Sequence, residues 1–188
     1  MSTNSFHKDS RDIWSHGSGR QLRDLLASSL STLLLMGPGE KPLYVCSPWI
    51  SDFVLFENRY REYEAMFPDL ADHNEILFSS YLARLARKLP VHLITTKNDT
   101  SEAFLNSLKN IRSPVSLHCR FADSGYHEKG LLAPSFYIEG SMNFTYSGVY
   151  VRGEKVTYHC GLGKHGAKKI LDAYLEFDRR WRLLGKNL

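Results

Sequence analysis

Long apolar runs are the first thing this chain lacks. Its nearest approach, Leu25 to Met36, is a dozen residues carrying four hydroxyl side chains, too short and too polar to cross a bilayer. The run lies behind Arg20, Arg23 and Asp24, a poor setting for a secretory leader, so the expectation is a cytoplasmic protein with no membrane partner. Cysteine is sparse. Cys46, Cys119 and Cys160 are odd in number and far apart, the first two within apolar runs, which favours free thiols over disulfides. His118, Cys119, His159, Cys160 and His165 include no Cys-x-x-Cys and no His-x3-His pair. Neighbouring strand residues also face opposite ways, so a zinc site is not expected. Gly161-Leu162-Gly163-Lys164 lacks the spacing and the Ser/Thr of a nucleotide-binding loop. Nothing repeats along the chain.

What is present reads as one soluble α/β domain. The chain has 188 residues, 43% hydrophobic and 23% charged, with a net charge of +4. That is enough chain for one core, and the mild basicity permits a phosphate-rich partner without demanding one. Met1 to Gly19 is polar and aperiodic, so residues 1–19 read as a flexible arm and 20–188 as a single domain. Within the arm, His7, Lys8 and Asp9 are adjacent and cannot share a strand face.

Apolar spacing predicts helices over Gln21–Met36, Glu75–Leu89, Thr100–Ile111 and Ala167–Leu184. Thr100 is the expected cap of the third. Strands are predicted at Leu43–Cys46, Val91–Thr95, Val115–Arg120 and Lys155–Cys160. Between Asp52 and Asn74, Phe53, Phe56, Tyr60, Tyr63 and Phe67 recur at near-helical spacing and read as core residues ahead of a base-stacking platform. Strands alternating with helices predict a layered α/β sandwich, a mixed β-sheet with helices on both faces. Lys164, Lys168, Lys169, Arg179, Arg180 and Arg182 make the last helix basic. A solvated face explains that, with phosphate contact the less ordinary alternative.

Two polar pairs stand out: His127 with Lys129, and Ser141 with Asn143. Members of each pair are two residues apart, so in extended chain they share a face. The mostly apolar stretch between the pairs, broken at Pro134-Ser135, reads as strand, turn, strand, which brings the pairs together. An imidazole, an ammonium, a hydroxyl and an amide on one surface suit a phosphate: one group to attack or move a proton, three to hold oxygens. Taken singly, each pair could equally be solvated strand residues.

These residues carry a resemblance. His127-x-Lys129, then Gly140-Ser141-x-Asn143-x-Thr145, then Glu154, resembles the signature of the phospholipase D superfamily, specifically its small bacterial nucleases with one motif per chain. The family's His-x-Lys-x4-Asp ends here at Pro134, and Arg152 occupies the position two before the Glu where Asn is frequent. A short chain of this kind also resembles the phospholipase-D-like proteins of bacterial clusters that put 7-deazaguanine bases into DNA. The resemblance implies a nuclease-like phosphodiesterase with His127 as nucleophile and Lys129, Ser141 and Asn143 on the phosphoryl oxygens. It implies that Glu154 orients the imidazole, and that neither metal nor cofactor takes part. Its two-step chemistry uses two histidines, so one motif per chain implies a homodimer with a composite site. Implied partners are nucleic acid, DNA over RNA, and proteins of a DNA-modification or phage-defence cluster. Pro134 keeps a second reading open, a catalytically inactive DNA- or phosphate-binding subunit of a larger complex. A lipid phosphodiesterase is the third and weakest.

Overall fold

Strands buried on both faces need apolar residues at consecutive positions, and Leu43-Tyr44-Val45-Cys46 supplies them. A computed structural model describes residues 9–15, 20–111 and 116–185. Its strands are β1 (Ser10–Trp14), β2 (Leu43–Cys46), β3 (Val54–Glu57), β4 (Glu75–Leu77), β5 (Val91–Thr96), β6 (Leu117–Ala122), β7 (Gly130–Leu132), β8 (Phe136–Gly140) and β9 (Lys155–Cys160). The α-helices are α1 (Arg20–Leu35), α2 (Phe78–Leu85), α3 (Asp99–Asn110) and α4 (Lys164–Leu184), with a short 3-10 turn at Pro68–Leu70 and a π-helical turn at Ser147–Val151. Among the described residues one seven-stranded sheet runs β1-β9-β8-β7-β2-β5-β6, and β3 pairs with β4 separately. β2, β5 and β6 are parallel, while β2–β7–β8–β9–β1 is antiparallel throughout. The sheet is therefore mixed.

Strand alternation sorts the core into two layers. Leu43, Val45, Leu93, Leu131, Phe136 and Ile138 pack with α1, α2 and α3 on one face. Tyr44, Cys46, Ile94, Leu132 and Tyr137 meet Ile170, Tyr174 and Phe177 of α4 on the other. Each fully buried Leu or Phe contributes about 1.5–3 kcal/mol, so α4 is held by a handful of large side chains. Leu171, next to Ile170 on the same helix, is 53% exposed. The basic residues of α4 are largely paired within the chain: Lys168 with Asp172, Lys169 with Glu139, Arg179 with Glu176, Arg180 with Glu128 and Glu176.

Several expectations are corrected. Part of the predicted arm is structure: Ser10–Trp14 is the antiparallel edge strand beside β9. Its composition hid it, because polar contacts hold it. Asp12 takes a hydrogen bond from Thr157 (2.7 Å) and an ion pair from Lys155 (2.8 Å). Buried His159 bridges Ser10 Oγ (2.7 Å) and Glu139 Oε1 (2.9 Å) across three strands. Residues 1–8 and 16–19 of the expected arm, His7 and Lys8 included, lie outside the described residues, as does Val115 at the start of the predicted β6.

The predicted second helix is β4 at its first three residues, and helical only from Phe78 to Leu85. A cap from far along the chain sets that start: Asp52 accepts from Ser79 N (3.0 Å) and Ser79 Oγ (2.5 Å). Asn98, not Thr100, caps α3 by accepting from Ser101 N (2.9 Å). The aromatics after Asp52 lie on strand and turns; Phe53, Phe56 and Phe67 are core, while Tyr60 is 85% exposed. Among the described residues no helix is long and apolar enough to cross a membrane.

Candidate active site

The hairpin predicted around Pro134 forms. β7 and β8 pair antiparallel, and Ala133 N donates to Phe136 O (2.9 Å) to close the turn. Pro134 sits in that turn, where its fixed φ costs nothing and its missing N–H is not needed. His127 and Lys129 lie just ahead of β7 and not within a strand, while Gly140 and Ser141 leave β8 beside them. His127, Lys129, Gly140 and Ser141 line a cleft of about 590 Å³, with Glu128, Glu139, Lys155 and Thr157 on its walls and Phe177 of α4.

Gly140 is dictated by backbone. Its φ is +154°, and a Cβ there would lie 2.2 Å from Lys155 O, so no other residue fits without moving β9. That close approach lets Ser141 Oγ accept from Lys155 N (3.1 Å) while it donates to a Glu154 Oε2 carboxylate oxygen. Glu154, implied as the partner of the imidazole, thus takes Ser141 and not His127 as its hydrogen-bond partner among the described residues. It is 9% exposed, and its backbone is clamped by Ser15: Ser15 N donates to Glu154 O (2.9 Å), Glu154 N to Ser15 Oγ (3.0 Å), and Ser15 Oγ to Arg152 O (2.9 Å).

Cleft charges are unevenly satisfied. Glu128 pairs with Arg180, Glu139 with Lys169 and His159, Lys155 with Asp12. Burial alone would raise the Glu139 pKa, but hydrogen bonds from Lys169 and His159 hold it below the usual carboxylate range. Lys129 is the cleft cation with no ion-pair partner among the described residues; its Nζ donates only to His127 O (2.9 Å). Partial burial lowers its pKa, and the charge of Glu154 works the other way. An ammonium short of hydrogen-bond acceptors beside an exposed imidazole is a receptive place for a phosphoryl oxygen.

Asn143 is placed next door. Met142, buried between it and Ser141, turns the chain so that Asn143 lines a neighbouring groove. Ser47 Oγ, 2.7 Å from Trp49 O and 3.1 Å from Asn143 Oδ1, shares its proton between them. The Asn143 N–H2 group is left without a partner among the described residues. The cleft therefore gathers His127, Lys129 and Ser141, Glu154 stands behind Ser141, and Asn143 lies across a one-residue ridge.

Sequence reasoning passed over Ser15, Ser47, Glu139 and Lys155. Only Lys155 carried a signal, as the neighbour of Glu154. The others are brought in by β1, by the end of β2 and by the β8–β9 pairing. The zinc reading has a geometric answer too: His118 and Cys119 on β6 and His159 and Cys160 on β9 are five strand steps apart, roughly 24 Å.

No known family profile and no curated protein sequence matches the chain. Solved structures do. Nuc, a phospholipase D family member from Salmonella typhimurium, superposes with a TM-score of 0.53 and 16% identity over 92% of this chain and 93% of its own. NucT from Helicobacter pylori gives 0.53 and 12% over 90% and 94%. Polyphosphate kinase from Porphyromonas gingivalis gives 0.55 and 9% over 94% of this chain and 26% of that one. With identities this low the likeness is one of fold. The chain folds as a phospholipase-D-like layered sandwich, a mixed sheet with helices on both faces.

Proposed function

We propose that this protein is a metal-independent phosphodiesterase of the phospholipase D superfamily that cleaves nucleic acid, DNA over RNA, through a phosphohistidine. The observation that carries the reading is the convergence of His127, Lys129 and Ser141 on one cleft in which Lys129 is free of any ion-pair partner among the described residues. A His127 ring nitrogen attacks phosphorus, and the bond to the leaving ester oxygen breaks. That oxygen takes a proton from the partner's His127 in a two-fold dimer. Water, deprotonated by the same partner imidazole, then displaces the phosphoryl group from nitrogen and regenerates His127. Lys129 and Ser141 hold the non-bridging oxygens, with Asn143 reaching them over the ridge. The resemblance of the sequence alone to proteins of 7-deazaguanine clusters extends the proposal to a place in a bacterial DNA-modification or defence system.

A second reading has its own observation. Glu154 is bound by Ser141 and not by the imidazole, an arrangement that also suits a phosphate-binding subunit without turnover, in keeping with Pro134. Hydrolysis of bis(p-nitrophenyl) phosphate and of single-stranded DNA, in EDTA, decides. Wild type should exceed His127→Ala by at least a hundredfold and be unaffected by the chelator. If wild type only matches His127→Ala while Pro134→Asp gains activity, the protein is the binding module.

A further inference from the structure

The groove on the far side of the Ser141–Asn143 ridge has about 470 Å³ and is lined by Trp49, Ser51, Asn143, Thr145, Tyr146 and Arg152, among others. Two large aromatics stand open on it, Trp49 at 44% and Tyr146 at 58% exposure. They come from distant parts of the chain and are fixed against each other. Ser51 N donates to Phe144 O (2.9 Å), Tyr146 N donates to Ser51 Oγ (3.1 Å), and Ile50 bridges Phe144.

The turn presenting Trp49 is pinned further. The carbonyl of Pro48 accepts from Thr95 Oγ1 (3.1 Å), Thr96 Oγ1 (2.8 Å), Thr96 N (3.3 Å) and Asn98 Nδ2 (3.0 Å). A carbonyl with four donors is far more than a surface turn needs, and the indole it positions still faces solvent. Opposite, Tyr146 is backed by Tyr150, the rings stacked at 5.2 Å. Gly148 allows that turn, because a Cβ there would lie 2.3 Å from Asn143 O. The groove is thus preformed.

Its chemistry narrows the occupant. The walls named are aromatic rings, hydroxyls and the Asn143 amide, with no carboxylate among the lining residues. Arg152 is exposed and has no side-chain partner among the described residues. Flat apolar walls with neutral hydrogen-bonding groups and one cation fit a heteroaromatic ring tethered to an anion. They fit a lipid tail or an acidic peptide poorly.

We propose that this groove is a nucleobase subsite, binding one unpaired base of a single strand by stacking on Trp49 and Tyr146 while Arg152 holds the adjoining phosphate. The inference rests on the phosphodiesterase reading for its direction: Asn143 lines the groove and only Met142 separates it from Ser141 of the cleft, so the base taken up is next to the scissile phosphate. Stacking on these rings needs an open π-face, which a paired base inside a duplex keeps covered. The substrate is therefore single-stranded, or duplex opened at the cleavage point.

The test is fluorescence anisotropy with a labelled eight-nucleotide oligothymidylate and the matching duplex, in the His127→Ala background so that nothing is cleaved. Trp49→Ala and Tyr146→Ala should each weaken single-strand binding about tenfold, Trp49→Phe should restore most of it, and duplex binding should be weak and indifferent to all three. Arg152→Gln should reduce the slope of log affinity against log salt by about one. Thermal melts of the same variants identify any that misfold, and Trp49→Phe keeps the test valid if Trp49→Ala is one. Single-strand binding unchanged by Trp49→Ala and Tyr146→Ala, or a duplex equally sensitive to them, overturns the subsite. Failure of the two readings is separable. Base-dependent binding with no hydrolysis by wild type sinks the phosphodiesterase and leaves the groove standing. Hydrolysis lost in His127→Ala with binding indifferent to both aromatic substitutions sinks the groove alone.

Discussion

At the scale of single residues, Lys129 is the most exposed to test by pH. Burial lowers its pKa below that of an ordinary lysine, and Glu154 only partly offsets this. The ammonium must be charged to hold phosphoryl oxygens, and a group with a lowered pKa gives up its proton earlier as pH rises. The alkaline limb of the rate profile should therefore fall at lower pH than a solvated lysine would give. Lys129→Arg should push that limb beyond the accessible range, since a guanidinium stays charged, while Lys129→Met should lower kcat/KM at every pH. A limb unmoved by Lys129→Arg would assign it to another group. Gly140 makes a structural counterpart. Gly140→Ala forces a Cβ against Lys155 O at a φ of +154° and should cost about 3 kcal/mol, seen as a fall in Tm of roughly 6–12 °C. A melt within about 2 °C of wild type would mean that β8 and β9 adjust freely.

At the scale of elements, the β7–β8 hairpin was legible because both halves are apolar runs flanked by the polar pairs, with Pro134-Ser135 as the break. β9 and α4 were legible by the same periodicities. β1 was not. Ser-Arg-Asp-Ile-Trp has no apolar alternation, and what holds it is a set of polar contacts to β9 that only the folded sheet supplies. The start of α2 was hidden for a similar reason, its cap being Asp52, 27 residues before the Ser79 it holds. For the candidate site, residue types and spacing pointed to His127, Lys129 and Ser141 of the cleft, whereas Glu139 and Lys155 on its walls, the partner of Glu154 and the separate groove of Asn143 depend on how β8, β9 and β2 meet. β1 also carries a prediction. Ser15, 4% exposed, clamps Arg152 and Glu154. Ser15→Ala leaves Glu154 N and Arg152 O unpaired at a cost of about 1–3 kcal/mol and loosens the carboxylate that steadies Ser141. Stability should drop by that amount, measured by urea unfolding, and kcat should fall several-fold with KM little changed. If kcat is unaffected at a temperature where the variant is folded, Ser15 holds the sheet edge and nothing more.

At the scale of the whole molecule, the issue is how one motif per chain would serve the proposed reaction, which uses two imidazoles. Three other histidines in the described sheet are ill placed for the second role. His159 is buried between Ser10 and Glu139. His92 stacks on Trp181 with ring centroids 4.1 Å apart, and its pKa is lowered to about 4 by burial and by the neighbouring His118 and Arg120. His118 lies beside His92 on β6, at the opposite sheet edge from β1. His127 is exposed on an open cleft, so in the proposed dimer a second copy facing it across a two-fold axis would supply the second imidazole with no new element, and isologous geometry would make the two contributions equivalent. Mixing is the sharpest measurement. If one composite site needs His127 from both chains, wild type exchanged with inactive His127→Ala at equal amounts should retain about one quarter of the activity of the same total protein as wild type, the fraction of dimers with two intact chains. Independent sites would retain about one half. Sedimentation at micromolar concentration should show twice the mass of one chain, with specific activity falling on dilution below the dimer's dissociation constant. A retained activity of one half after confirmed subunit exchange would mean that each chain completes its own site, and the proton donor would then have to be sought among the groups lining its own cleft, where Glu139, held ionised by Lys169 and His159, is ill suited to the part.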